Sequence, residues 1–422
     1  MISILRKLLP ERHPVRVTWS KAKALLAAIK YGFPARKLVV IAITGTDGKT
    51  TTVGMTAHIL QKSGIKVGAA STAFFQINKE KKTNETHLTS MNPFALHKFL
   101  REISQNGCTH AIVEMSSHGL VQGRSDYTWP EAAGITNTSP EHLDYHGSMK
   151  QYRKDKGIMF KMLKGKGTKV LNGSDDSLAM YNDIPSSHTT VYHSKEGDLH
   201  VSDISATQNG SKSTLHSQAG TSQLELNIPG TYNLENAQCA IGLALSVGVS
   251  IDNAVNALKT FEPMPGRMEL IDEGQDFKVF VDFTMTANGY QKSLEALRDI
   301  VGENKKVLVL GSCCGNRMKE KRSEVGRVCS EFADIVAISE DETYGEDPHK
   351  VQEEVWAGVD QSETDAHKIF DRREAITFLF KKAGPGDAVI LCGMGPFGYM
   401  TKLEGTVEWD EREVAREILR SL

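Results

Sequence analysis

Apolar and polar residues follow two rhythms along this chain, one of period two and one near 3.6, and their alternation marks out the architecture. Val39–Thr44 is an apolar run that ends in Gly45-Thr46-Asp47-Gly48-Lys49-Thr50-Thr51. A helical pattern follows over Thr50–Ser63, with Val53, Ala57 and Leu60 on one face and Gly64 as its stop. Ile65–Ala70 predicts a strand, Pro93–Gln105 a helix and Thr109–Glu114 a strand. Ala132–Thr136 and Lys169–Leu171 read as further strands, with one helix over Met149–Leu163 between them. This alternation predicts a parallel sheet with helices on both faces.

The rhythm changes at His188–Leu226, where Val and Thr alternate with polar residues. That stretch predicts a small antiparallel β excursion with Gln208-Asn209-Gly210 as a hairpin turn, and a helix follows over Leu234–Val247. Glu262-Pro263-Met264-Pro265-Gly266 is the best linker candidate. Beyond it, strands at Val279–Phe283, Val307–Leu310, Ile335–Ile338 and Ala388–Leu391 alternate with helices at Ala287–Asp299, Arg322–Phe332, Pro348–Val359 and Arg373–Lys382. The expected fold is α/β throughout. It comprises a short basic segment at 1–37, a central P-loop-type domain at 38–264 and a Rossmann-like domain at 265–422.

The first segment changes the picture most. Met1–Lys37 carries nine basic residues, Arg6 to Lys37, against Glu11 alone, and Trp19, Ala22, Leu25, Leu26 and Ile29 recur at helical spacing. A basic amphipathic helix can lie on an anionic membrane; the competing expectation, which the small hydrophobic face favours, is that this stripe packs on the next domain. A net charge of −2 over the whole chain gives no electrostatic reason to expect nucleic acid as a partner. Six cysteines without metal-ligand spacing fit a reduced, cytoplasmic protein. The expected assembly state is a monomer.

A strand that ends in a glycine-rich turn and restarts as a helix aims backbone N–H groups into one small space. Lys49 there neutralises phosphate oxygens, and the Thr50 hydroxyl can reach Mg²⁺. The spacing departs from the common P-loop, which would need glycine where this chain has Ile43. Glu114 closes an apolar strand and so falls in the ligand crevice of such a sheet. Mg²⁺ prefers oxygen ligands and keeps several waters, so one carboxylate, Thr50 and phosphate oxygens suffice. Asn137–Gly147 places two histidines and two acids at the same end; His142 could ligate a metal or serve only as a surface group.

The stretches GTDGKTTT, EMSSHGLVQGR and TNTSPEHLDYHGSMKQYRKDK resemble the Mur ligases, in the UDP-N-acetylmuramoyl-tripeptide synthetase branch. Gly230-Thr231-Tyr232-Asn233-Leu234-Glu235-Asn236 is similar to the family's G-x-[YF]-N-x-x-N, and Pro265-Gly266-Arg267-Met268-Glu269 to its P-G-R-x-E junction. The resemblance implies peptidoglycan precursor synthesis, and with it cell-wall biogenesis, cell shape and division. It implies a reaction in which ATP phosphorylates an acceptor carboxylate and an amino acid's amine attacks the acyl phosphate. It also assigns roles. Thr46, Asp47, Gly48, Lys49, Thr50 and Thr51, with Asn137, Asn233, Asn236, Arg267 and Asp282, would lie around ATP. Thr89, Ser90, Ser116, Gln122 and Arg124 would hold a muropeptide-like acid. Thr50, Glu114 and His142 would serve two Mg²⁺ sites, and Lys156 would act as a CO₂-derived carbamate. Lys49, Glu114, His142 and Lys156 form the implied catalytic set, and Arg317, Asp341, Tyr344 and Gly393 the amino-acid pocket.

Departures cluster on the substrate sides. About 37 residues precede the first sheet strand where the branch has a uridine-binding domain. The branch's D-N-P-R, whose arginine grips diaminopimelate, is replaced by Asp341-Glu342-Thr343-Tyr344. Its D-Y-A-H-T-P reads Asp282-Phe283-Thr284-Met285-Thr286-Ala287, and its G-K-G-H-E reads Gly393-Met394-Gly395-Pro396-Phe397. Two other functions therefore compete: a folylpolyglutamate- or cyanophycin-type ligase, and a nucleotide-binding protein without turnover.

Overall fold

The computed structural model describes residues 9–207 and 210–422. It divides into two compact units. The first comprises Met1–Ile204, Lys212–Leu226 and Asn233–Phe261, and the second Ser205–Ser211, Asn227–Tyr232 and Glu262–Leu422.

The first unit is built on a sheet whose strands are β1 (Val39–Thr44), β2 (Val67–Ala70), β3 (Phe74–Ile77), β4 (Glu80–Thr83), β5 (His110–Glu114), β6 (Ala132–Ile135), β7 (Thr168–Asn172), β8 (His188–Tyr192), β9 (Leu199–Thr207), β10 (Gly210–Ser217) and β11 (Gly220–Leu226). Their order is β11-β10-β9-β8-β7-β6-β1-β5-β2-β3-β4. β1 pairs in parallel with both β5 and β6, so the most apolar strand lies mid-sheet, covered on both faces. The β excursion thus extends the central sheet. Its expected first strand, β8, instead pairs in parallel with β7. Residues 208 and 209 of the expected hairpin turn lie outside the described residues.

The starts and stops of the helices have readable local causes. α1 (Pro14–Tyr31) starts where the His13 side chain accepts from the Val15 N–H, has proline in its first turn, and stops at Gly32 in the left-handed region. α2 (Lys49–Lys62) follows Gly48. α3 (Pro93–Gln105) buries Leu96, Phe99, Leu100 and Ile103 against Val40, Ala42, Ala111 and Val113. Burying each such side chain contributes about 1.5–3 kcal/mol. α4 (Ser117–Val121) follows β5, α5 (Met149–Lys156) follows β6, and α6 (Asn233–Leu245) packs on α2. The single helix expected over Met149–Leu163 breaks at Gly157, and a short turn of helix, Ile158–Lys161, follows.

α1 corrects a second expectation. It packs through Ala24, Ala27 and Ala28, whose methyl groups allow close approach to its neighbour α3. The larger stripe faces outward: Val15, Trp19, Leu25, Leu26 and Ile29 are all exposed, Leu26 by 53% and Ile29 by 57%. Counting large apolar residues picked the wrong face because backbone proximity favoured the small ones.

The second unit holds β12 (Glu269–Ile271), β13 (Lys278–Asp282), β14 (Val307–Gly311), β15 (Ile335–Ile338), β16 (Asp365–Lys368) and β17 (Ala388–Cys392), ordered β12-β13-β17-β14-β15-β16. All pairings are parallel except β12 with β13. Buried clusters fill both faces. Helices α7 (Ala287–Val301), α8 (Glu320–Phe332), α9 (Pro348–Trp356), α10 (Arg372–Lys382) and α11 (Glu411–Ser421) cover it. The sequence pattern missed β12, β16, α11 and an antiparallel hairpin of Tyr399–Lys402 with Gly405–Glu408. No described helix is long and apolar enough to cross a membrane.

Candidate active site

The strand order reverses at β1, so the carboxyl ends of β1, β5 and β6 open one crevice, with Ile43 opposite Glu114 and Thr44 opposite Ile135. The glycine-rich loop Gly45–Thr51 lies at this crevice. Gly48 has φ 79°, and a Cβ there would come within 2.2 Å of the Asn236 amide oxygen. Gly45 would place a Cβ 1.8 Å from Thr136 Oγ1. Gly45 has φ 150°, so both positions need glycine for their dihedrals and for close approach.

Asn137 braces this loop from β6. Its Oδ1 accepts from the Asp47 N–H at 3.1 Å, its Nδ2 donates to the Asp47 carbonyl at 3.2 Å, and its carbonyl accepts from the Thr46 N–H at 2.9 Å. Lys49 Nζ donates to the Thr46 carbonyl at 2.7 Å. Thr51 is buried in the same first turn of α2. Asn236 Nδ2 donates to Asn233 Oδ1 at 3.0 Å, and Thr52 Oγ1 donates to Asn236 Oδ1 at 3.4 Å. That pair of amides therefore belongs to the loop's surroundings in this structure.

Glu114 is 1% exposed and anchors a chain of oxygens. It accepts from Thr50 Oγ1 at 3.1 Å, from the Thr72 N–H at 2.8 Å and from Thr72 Oγ1 at 2.9 Å. Thr72 Oγ1 lies 3.0 Å from Thr89 Oγ1. Ser90 Oγ accepts from the Ser116 N–H at 2.8 Å and lies 3.1 Å from Ser116 Oγ. Arg124 donates to the Ser90 carbonyl at 3.1 Å and to Gln122 Oε1 at 2.9 Å. Thr89, Ser90, Ser116, Gln122 and Arg124 thus form one polar wall continuous with Glu114. Sequence reasoning missed Thr72, although it ends the β2 region of the same crevice; the positional argument that selected Glu114 applies to it equally.

Lys156 ends α5 fully buried, with Nζ 2.5 Å from the Gly45 carbonyl and 4.5 Å from the Tyr152 ring. Burial, followed by the nearby Lys49 charge, pushes its ammonium well below the usual lysine range. His142 has φ 55°; its ring lies edge-on to His118 at 4.6 Å and its Nδ1 is 3.9 Å from Glu141. Among the described residues no three His, Cys, Asp or Glu side chains converge as a metal cage. Hard oxygen donors are nevertheless in place: Thr50 and Glu114 fit a Mg²⁺ ion that shares phosphate oxygens and water.

The remaining candidates lie in the second unit. Asp282 accepts from the Met268 N–H at 3.1 Å, from Ser293 Oγ at 2.9 Å and from Thr284 Oγ1. Arg267 donates to the Phe283 carbonyl at 2.7 Å. Gly393 has φ 114° and would place a Cβ 2.4 Å from Asp341 Oδ2, which accepts from Ser312 Oγ at 2.6 Å. Burial raises the Asp341 carboxyl above the usual range. The Arg317 guanidinium lies 5.4 Å from the Tyr344 ring centroid, and Tyr344 OH donates to Glu342 Oε2 at 3.0 Å.

Comparison with known proteins agrees with this layout. Residues 43–244 match the Mur ligase middle domain, and residues 266–395 match the Mur ligase, glutamate ligase domain. The UDP-N-acetylmuramoyl-L-alanyl-D-glutamate--2,6-diaminopimelate ligase of Geobacillus kaustophilus is 31% identical over 408 residues, covering 95% of this chain and 82% of that protein. The UDP-N-acetylmuramyl-tripeptide synthetase of Roseiflexus sp. is 32% identical over 426 residues, with the same coverage of 95% and 82%. A solved UDP-N-acetylmuramoyl-L-alanyl-D-glutamate--2,6-diaminopimelate ligase superposes with a TM-score of 0.63 at 27% identity, covering 91% of this chain and 78% of that one. Folylpolyglutamate synthase of Mycobacterium tuberculosis shares the fold, with a TM-score of 0.69 at 16% identity over 88% of this chain and 92% of that one. Two matched domains in order and relatives above 30% identity over nearly the whole chain lead to one conclusion: this chain belongs to the Mur ligase family.

Proposed function

We propose that this Mur ligase joins the amine of an amino acid to a carboxylate of a UDP-muropeptide acceptor, at the expense of ATP. An acceptor carboxylate oxygen attacks the γ-phosphorus, and ADP leaves. The amine nitrogen then attacks the acyl carbon and loses a proton, while phosphate departs with the former carboxylate oxygen. Both steps concentrate negative charge, which fixed cations and N–H groups stabilise best because they need no reorganisation. Lys49 and the loop amides take that role on the phosphate side, and the Thr89–Arg124 wall holds the acceptor. Mg²⁺, in two sites, supplies charge neutralisation and alignment of phosphate oxygens. Thr50 and Glu114 would hold one ion; His142 and Lys156 as a carbamate would serve the other.

The observation that carries this reading is the continuous Thr50–Glu114–Thr72–Thr89 chain, which joins the phosphate side to the acceptor side. It is tested by ADP release that requires an amino acid and UDP-N-acetylmuramoyl-L-alanyl-D-glutamate together; ADP release indifferent to both would overturn it. In the second unit, Tyr344 stacked by Arg317 supports an amino acid other than diaminopimelate, because tyrosine offers a distal carboxylate no charged partner.

The exposed face of α1 supports a weak contact with an anionic membrane surface. Its apolar stripe, with Trp19 within it, is flanked on one side by Arg16, Lys23 and Lys30, a heptad apart. A second copy of the helix would bring like charges together, whereas acidic lipid head groups complement them.

A further inference from the structure

Behind the acceptor wall lies a buried arrangement that the proposed reaction does not use. His146 has a fully buried side chain, with Nδ1 2.6 Å from Asp155 Oδ2 and Nε2 2.9 Å from Ser117 Oγ. Asp155 also accepts from Arg12 Nη1 at 2.5 Å and from Gln151 Nε2 at 2.8 Å. Arg12 Nη1 also lies 3.1 Å from His146 Nδ1, so the guanidinium caps both partners of the His146–Asp155 contact. With Arg12 and Gln151 both donating to Asp155, the short contact fits an Nδ1–H that donates to Asp155 Oδ2. With Nδ1–H facing Asp155, the neutral ring accepts at Nε2 from the Ser117 hydroxyl.

Serine, histidine and aspartate in this order have the connectivity of a hydrolytic triad, but access excludes that role. Ser117 is 2% exposed and its hydroxyl is spent on His146, so no substrate carbonyl can reach it. What the arrangement does is mechanical. Ser117 opens α4 directly after Ser116, whose N–H and hydroxyl meet Ser90. Asp155 sits one residue before Lys156 on the last turn of α5. Arg12 comes from the segment just before α1.

We propose that His146 is a positioning residue that locks the Ser116–Ser117 turn to the Lys156 turn, with Arg12 as the outer clamp on Asp155. The N-terminal segment thereby sets the register of the acceptor wall. This rests on the ligase reading for its kinetic arm only.

The test uses the full chain. Nitrogen-15 imidazole shifts of labelled protein report the tautomer directly: His146 is expected to show a protonated Nδ1 and a bare Nε2, and a bare Nδ1 overturns the proposal. Kinetics with UDP-N-acetylmuramoyl-L-alanyl-D-glutamate form the second arm. Asp155→Asn and Ser117→Ala should each raise the acceptor KM about tenfold, the effect of orphaning one buried hydrogen-bond partner, and leave the KM for ATP unchanged. The double variant should be no worse than the worse single one, because both cut the same connection. Arg12→Lys should recover most of what Arg12→Ala loses. Multiplying effects, or an equal rise in the KM for ATP, contradict the lock. Should the wild-type chain show no turnover with this acceptor, the ligase reading fails, while the imidazole shifts still decide the relay.

Discussion

Lys156 donates to the carbonyl of Gly45 at 2.5 Å, which joins the end of α5 to the first residue of the glycine-rich loop. A buried lysine in that position is held toward its neutral amine by burial and by Lys49. The neutral amine is the form that adds CO₂, forming an N–C bond and releasing a proton. The carbamate would exchange a buried cation for an anionic oxygen ligand, which suits a site built to gather phosphates and Mg²⁺.

Lys156→Ala should therefore abolish turnover and regain part of it with added acetate or formate, since a small carboxylate can occupy the vacated position. Carbon-13 bicarbonate should give the wild-type enzyme a carbamate resonance that the variant lacks. Full activity in unsupplemented Lys156→Ala contradicts the assignment.

Gly48→Ala should damage the nucleotide site far more than its size suggests. The left-handed dihedral costs a non-glycine residue about 1–2 kcal/mol, and the added methyl collides with the Asn236 amide. The expected result is a folded protein with a slightly lowered Tm and a sharply weakened affinity for ATP, measured by calorimetry. Unchanged affinity would place the nucleotide elsewhere.

In the proposed amino-acid pocket, Glu342 bears on any attempt to restore diaminopimelate recognition. Tyr344→Arg alone would place a guanidinium beside the Glu342 carboxylate, which already accepts from Tyr344 OH at 3.0 Å. Glu342→Asn with Tyr344→Arg recreates the D-N-x-R pattern and leaves the guanidinium available. The wild-type enzyme should show no preference for diaminopimelate over amino acids lacking its second carboxylate. The double variant should shift the ratio of kcat/KM toward diaminopimelate by about tenfold or more, the scale of a charge-assisted pair. Strong wild-type preference for diaminopimelate would show that another cation takes the arginine's place.

Trp19→Glu should abolish co-sedimentation with vesicles containing acidic lipid and leave ADP release intact, because α1 packs through its alanine face. Equal binding of wild type and variant, or binding to neutral vesicles alone, contradicts the membrane contact.

The glycine-rich loop was legible because strand, glycine turn and Lys49-Thr50 form one local pattern, and the placement of Glu114 followed from its strand end. Lys156 was not readable from its own surroundings in sequence: in a run of basic residues nothing announces burial, and only the family resemblance singled it out. Thr72 and the Ser117–His146–Asp155 connection are assembled from separate elements, so no spacing reveals them. α1 misled for a related reason. Its buried face is made of alanines, which weigh little in any hydrophobic pattern yet pack closest.

The most direct test follows one oxygen atom. An acceptor labelled with oxygen-18 in its carboxylate, incubated with ATP and amino acid, should yield inorganic phosphate carrying one oxygen-18, and Lys49→Ala should yield none. Wild-type turnover that releases unlabelled phosphate would mean that no acyl phosphate forms and would contradict the ligase account.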